Sequence, residues 1–171
     1  MPCYGFFKTP TSPSELATIQ DTWQSAGTIT VANAALGVDG RSASDVAAIA
    51  TANKVLYTMS PWGNALEVRF QTKADGDSHI VNHYVSRGGS DHYDLATVLT
   101  LTGGKQEADG SYFFVDTITA TETFTKSGII VHSAADGIAR YVVDACGYSN
   151  HLFIATTLQG ATTLTPQFST Y

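Results

Sequence analysis

Charge is what this chain has least of. Asp, Glu, Lys and Arg make up 14% of the 171 residues, with nine basic residues against fifteen acidic ones and a net charge of -6. Nine scattered cations form no clustered patch for phosphates, which excludes the usual footprint of a nucleic-acid binder. Cysteine is limited to Cys3 and Cys146, at opposite ends of the chain, and the pair matches neither a metal-binding spacing nor a disulfide framework. Reduced thiols are the expectation for a chain made in a cytoplasm, with a Cys3–Cys146 bridge the less favoured alternative. No apolar run approaches the roughly 20 residues that a membrane helix needs. Met1 to Pro10 has neither the basic start nor the apolar centre of a signal peptide. Also missing are G-x-G-x-x-G, the Walker loop, H-E-x-x-H and G-x-S-x-G, and with them the commonest signatures of nucleotide binding, zinc proteolysis and serine hydrolysis. There is no repeat and no linker, so a single domain over residues 1–171 is expected, long enough to bury roughly two thirds of its unfolded surface.

What the chain does have is strand chemistry. Hydrophobic residues reach 43%, and abundant Thr suits β-branched positions on a lightly charged sheet. The stretch from Trp62 to Thr102 is the most legible. Ala65 to Thr72 alternates Leu66, Val68 and Phe70 with Glu67, Arg69 and Gln71, the pattern of a strand with one wet face. After the turn Asp75-Gly76-Asp77, His79 to Ser86 carries apolar residues on both faces, as a strand near the middle of a sheet does. A third run sets Tyr93, Leu95, Leu99 and Leu101 on one face, until Gly103 and Gly104 stop it. Val55 to Met59, Tyr112 to Thr123, Ile129 to His132, Ile138 to Ala145 and His151 to Leu158 read as further strands, and Thr28 to Val31 as an early one. Ser44 to Asn53 is ambiguous: Val46, Ile49 and Ala50 have helical spacing, but loop and small-residue strand is the favoured reading. Eight or nine short strands predict an all-β fold, an antiparallel β-sandwich or jelly-roll-like domain. Leu66, Val68, Phe70, Leu95, Leu99, Leu101, Leu152 and Ile154 are its expected core.

The ends differ from the middle. Residues 1–25 read as an N-terminal extended arm and one short helix. The helix is announced by the capping box Ser12-Pro13-Ser14-Glu15, with Leu16, Ile19 and Trp23 on one face, and is expected over Pro13 to Trp23. Phe6, Phe7, Trp23, Leu164, Phe168 and Tyr171 lie in terminal segments and need cover, either from their own domain or from a neighbouring subunit. They are the candidate interface residues.

Candidates for chemistry are few. His79 and His83 share a strand face but stand roughly 13 Å apart at about 3.3 Å per residue, too far to share one metal. Asp75, Asp77 and His79 surround a turn that lacks the remaining ligands of a calcium loop. Asp91-His92 is raw material for a hydrolase triad, yet a surface turn explains both residues. Glu67 and Arg69 read as a solvated pair on the rim of a contact, and Trp62, Tyr84 and Tyr93 as aromatics that a lectin site would use. No catalytic residue, cofactor or metal ligand is assigned.

The run from Trp62-Gly63-Asn64-Ala65 through Leu66-Glu67-Val68-Arg69-Phe70, the turn Asp75-Gly76-Asp77, Asp91-His92-Tyr93, and Asp136-Gly137-Ile138-Ala139-Arg140 leading to Asp144-Ala145-Cys146-Gly147-Tyr148 together resemble small structural proteins of tailed bacteriophages. The resemblance covers roughly Ser60 to Leu158. It implies a non-enzymatic virion component, a capsid decoration or cement protein or an accessory head protein, made in the host cytoplasm. The implied partners are the major capsid protein or other virion proteins and further copies of the chain in a homo-oligomer, with neither nucleic acid nor membrane. The alternative is a carbohydrate-binding, lectin-like or tail-associated β-sandwich module.

Overall fold

Residues 65–72 form the strand their alternation predicts, with Leu66, Val68 and Phe70 fully buried. In the computed structural model, residues 23–33, 41–59, 65–73, 77–87, 92–122, 130–133, 138–144, 147–159 and 163–170 are described. In chain order the elements are β1 (Gln24–Ser25), β2 (Arg41–Ser42), α1 (Ala43–Ala48), β3 (Lys54–Thr58), β4 (Ala65–Thr72), β5 (Ser78–Ser86) and β6 (His92–Gln106). They continue with β7 (Tyr112–Glu122), β8 (Ile130–Ser133), β9 (Ala139–Asp144), β10 (Asn150–Gln159) and β11 (Thr165–Thr170), and a single 3-10 turn, Thr51–Asn53, precedes β3. The fold is all-β and antiparallel, as expected.

The main path of hydrogen-bonded neighbours runs β1-β11-β4-β7-β6-β5-β10-β3. β4 forks: its first half pairs with β9, which carries β8, and its last two residues pair with β7. The sheet is curled into a half-barrel, so strands far apart in this order meet across the core. Phe70 of β4 meets Phe153 of β10 edge-on, with centroids 6.1 Å apart. Tyr57 of β3 stacks on Phe168 of β11 at 4.3 Å, so rings from the two ends of the path lie face to face.

Residues 23–33 cross the seam between those ends. β1 pairs with β11, and Ile29, fully buried, bridges Leu164. The N–H groups of Thr30 and Val31 then reach the Ala52 carbonyl, and that of Asn33 reaches the Ala155 carbonyl. The strand expected over Thr28–Val31 is therefore a strap with one bridged residue. It satisfies its backbone on both sides of the seam, which accounts for extended chain that has no partner strand of its own.

Three β-bulges shift the faces that strict alternation predicts. The register slips between His83/Thr97 and Tyr84/Leu95, leaving Ala96 as the extra residue. Leu99 and Leu101 therefore face the interior, whereas Tyr93 and Leu95 turn to the outer face, where they pack with Tyr84, Leu152, Ile154 and Val46 in a second core. A slip between Ala155 and Thr157 does the same on β10, separating Leu158 from Leu152 and Ile154. The third lies at Gly103, whose φ of 79° suits glycine. Instead of ending β6, the Gly103-Gly104 pair bends it and the strand runs on to Gln106. All eight expected core residues are buried, but Leu95, Leu152 and Ile154 belong to the outer cluster.

That outer cluster explains α1. The loop-and-strand reading of Ser44–Asn53 is overturned: Ser42 caps a helix, accepting from the Asp45 N–H while Asp45 accepts from the Ser42 N–H. The reciprocal cap satisfies two helix-end donors, and the helix lays Val46 and Ile49 over Tyr84 and Ile154. β5, between β6 and β10, is thus covered on both faces.

Candidate functional site

Period-two geometry puts His79, Val81, His83 and Val85 of β5 on the inner face, so two imidazoles enter the core. His83 does not approach His79's partners. It meets His151 of β10 instead, Nε2 to Nδ1 at 3.0 Å, and its Nδ1 lies 2.9 Å from the Tyr141 hydroxyl of β9. Tyr141 donates to Thr97 Oγ1 of β6 at 2.9 Å, and at the other end His151 Nε2 lies 3.2 Å from the Tyr148 carbonyl oxygen. Four strands thus contribute to one string of polar groups. The His83 ring is stacked on Phe153 at 4.4 Å and nearly parallel to it. Burial away from water penalises the imidazolium, and the neighbouring His151 adds repulsion, so the pKa of His83 falls well below the usual histidine value. Burial lowers that of His151 to about 4, opposed by its bond to the Tyr148 carbonyl.

A second string uses His79. Its Nδ1 accepts the Gln159 N–H at 3.3 Å, so Nε2 carries the hydrogen and donates to Thr72 Oγ1 at 3.1 Å. Thr72 in turn donates to Asp77 Oδ2 at 2.5 Å, which also accepts the Lys73 N–H. Burial lowers the His79 pKa, and the Asp77 charge works against that shift. Asp77 and His79, considered above as cation ligands, are spent in this relay, and Asp75 lies outside the described residues. Among the described residues no group of three or more His, Cys, Asp or Glu is placed to hold a metal ion.

On the outer face of β4 lies a different arrangement. The guanidinium of Arg69 sits between two rings, 4.4 Å from the centroid of Trp23 and 4.7 Å from that of Phe113. Arg140 of β9 lies over the same Trp23 ring at 5.2 Å and reaches Glu67 Oε1 at 3.4 Å. Glu67 and Arg69 are not the solvated pair expected from their spacing: Glu67 is buried beside Arg140, and Arg69 is held by aromatic faces. Arg69 Nε donates to Gln167 Oε1 at 2.7 Å, and Gln167 Nε2 donates to Gln71 Oε1 at 3.3 Å, which orients both amides. These residues, with Glu107, Asp109 and Ser111 of the β6–β7 turn and Phe113, line an open cleft of about 360 Å³. Asp109 accepts from the Ser111 hydroxyl and N–H, and those bonds, helped slightly by the Arg69 charge, lower its pKa. A guanidinium clamped in this way is a rigid donor in a polar cleft, suited to binding rather than to proton transfer.

The other sequence candidates fall as follows. Tyr84 and Tyr93 are core residues and offer no face to a sugar; Trp62 lies outside the described residues. His92 is exposed at the start of β6, and Asp91 is outside the described residues. Of the interface candidates, Leu164 and Phe168 are fully buried in the core of their own chain, which corrects their assignment to a subunit contact. Trp23 is half-buried against the two arginines and is not helical. Phe6, Phe7, Tyr171, both cysteines and the rest of the expected Pro13–Trp23 helix are outside the described residues. The sequence reading missed the His83–His151 string and the Arg69 clamp. Their partners are up to 68 and 98 residues apart in the chain; the only local signal was parity, which puts His79 with His83, and His151 with Phe153, on inward positions.

No family model, no curated protein and no solved structure matches this chain.

Proposed function

We propose that the protein is a non-enzymatic structural component of a bacteriophage virion, a capsid decoration or cement protein or an accessory head protein that binds the major capsid protein and neighbouring copies. The observation that carries this reading is the commitment of the buried titratable groups to one another. His79, His83, His151 and Asp77 spend polar atoms on Thr72, Tyr141, each other and backbone groups, and so brace the sheet rather than converge on a substrate. Support also comes from the resemblance over Ser60 to Leu158 and from the outer face, where Trp23, Arg69 and Arg140 are the residue types that concentrate binding energy in contacts between proteins. The test is reconstitution. Purified protein is mixed with particles of the producing phage stripped of it, and the mixture is sedimented. Saturable cosedimentation is the expected result, and protein left in the supernatant at every ratio overturns the proposal.

The carbohydrate-binding alternative rests on one observation, the Arg69 cleft. Amides, carboxylates, a guanidinium and an aromatic wall make up the usual lining of a saccharide site. Glycan-array binding that is lost in Gln71→Ala would favour it over the virion reading.

A further inference from the structure

The string from Thr97 to the Tyr148 carbonyl has a direction, and the direction limits how many protons it can hold. A carbonyl only accepts, so His151 carries its hydrogen on Nε2. In a neutral ring His151 Nδ1 is then an acceptor, and His83 must donate to it from Nε2 across 3.0 Å. A neutral His83 therefore accepts at Nδ1, and the one hydrogen of Tyr141 has to point at it. Yet the Tyr141 hydroxyl is also set to donate to Thr97, and it cannot do both. The two directions correspond to two states. With both rings neutral, Tyr141 turns to His83 and the Thr97 hydroxyl supplies the last link. With one proton added from solvent at His83 Nδ1, His83 donates to Tyr141, Tyr141 donates to Thr97, and every link is again filled.

A second proton has no such place. The only nitrogen left is His151 Nδ1, which would set two N–H groups against each other across 3.0 Å, beside the stack of His83 on Phe153, where all three rings are fully buried. Few charges are at hand to compensate. On this inner face the titratable groups described are His79 with Asp77 beside it, Tyr57 of β3 opposite His151 in the register, Tyr141, and the exposed Asp94 of β6, two strands across from His151. Arg87, exposed, lies over the Tyr148 ring and adds positive charge at that end. Glu67, Arg69 and Arg140 belong to the outer face.

We propose that Thr97, Tyr141, His83, His151 and the Tyr148 carbonyl form a two-step acid switch, which stores one proton with the sheet intact and releases β10 and the preceding turn from β5 when it takes the second. The hydroxyls are the moving parts of the first step; the His83–His151 contact is what breaks in the second. Burial, which opposes both charges, sets the switch on the acid side of neutrality.

Nitrogen-15 NMR of protein labelled at histidine tests this directly. At pH 7 both rings should show hydrogen on Nε2 and a bare Nδ1. On acidification one of the two rings should lose its bare-nitrogen signal while the amide spectrum stays native, and the second should follow together with loss of amide dispersion. Tyr141→Phe removes the group that turns to receive the first proton, so its separate first step should vanish and both protons should be taken up together with unfolding, at a higher pH than the second step of the wild type. A wild-type protein in which both rings protonate together as the sheet unfolds overturns the proposal, as does a ring with hydrogen on Nδ1 at pH 7. If Tyr141→Phe does not fold, the wild-type titration alone decides.

Discussion

Replacing Phe168 by Ala probes the closure of the sheet, because this ring joins strands from opposite ends of it. Phe168 is fully buried, stacked on Tyr57 at 4.3 Å and tilted against Phe153 at 5.5 Å. Deleting such a ring costs about 3 to 5 kcal/mol in transfer and cavity terms. Of that, about 0.5 to 1.5 kcal/mol belongs to the aromatic pair itself and is shared with Tyr57. In urea, at a slope of about 2 kcal/mol/M, the midpoint should fall by roughly 2 M with the slope unchanged. The cycle with Tyr57→Ala and the double variant should return a coupling of about 0.5 to 1.5 kcal/mol. A midpoint independent of protein concentration places the contact within one chain, whereas one that rises with concentration would return Phe168 to a subunit interface. A loss below about 1 kcal/mol would refute the burial, and additivity within about 0.3 to 0.5 kcal/mol would show that the two ends do not meet.

Ser42→Ala removes the cap of α1 and should lower stability by about 0.5 to 2 kcal/mol, with Ser42→Asn close to wild type; equal losses in the two variants would deny the cap its role. Chelation by EDTA should leave the thermal midpoint where it is, because Asp77 and His79 are bonded to Thr72, Lys73 and Gln159. A drop of several degrees that calcium reverses would instead make that turn a cation site. Stability should be level above about pH 6.5, where neither the folded nor the unfolded chain protonates His151. Below that the unfolded chain binds the proton first, because the folded pKa is near 4. This residue alone should then cost about 1.4 kcal/mol per pH unit between those values, read by urea titration across the range. Stability that rises on acidification over that interval contradicts the sign.

Alternation alone locates β4 and β5, because a sheet with one face on a core writes its geometry directly into the sequence. It also exposes the double coverage of β5, through Ile80, Val81, Tyr84 and Val85. Bulges are what it hides. An extra residue at Ala96 or between Ala155 and Thr157 leaves composition and period untouched and reverses the faces on either side, so Leu95 parts from Leu99 and Leu101, and Leu158 from Leu152 and Ile154. The Ser42 to Asp45 cap was written locally as well, but alanines after it fit either reading until the outer cluster of Tyr84 and Ile154 is seen to need a cover. The polar strings depend on partners from β5, β6, β9 and β10, and no local pattern encodes which histidine meets which. The Arg69 clamp is of the same kind, since Trp23, Phe113 and Gln167 converge on it only after the sheet has curled.

The virion role is open to one direct measurement, the number of copies in assembled particles. Particles purified through a density gradient and washed in high salt would be digested and this chain quantified by mass spectrometry against the major capsid protein. A constant ratio across preparations, set by the symmetry of the particle, is the outcome the proposed function requires. Absence from the particles, with the protein recovered only from the lysate, contradicts it.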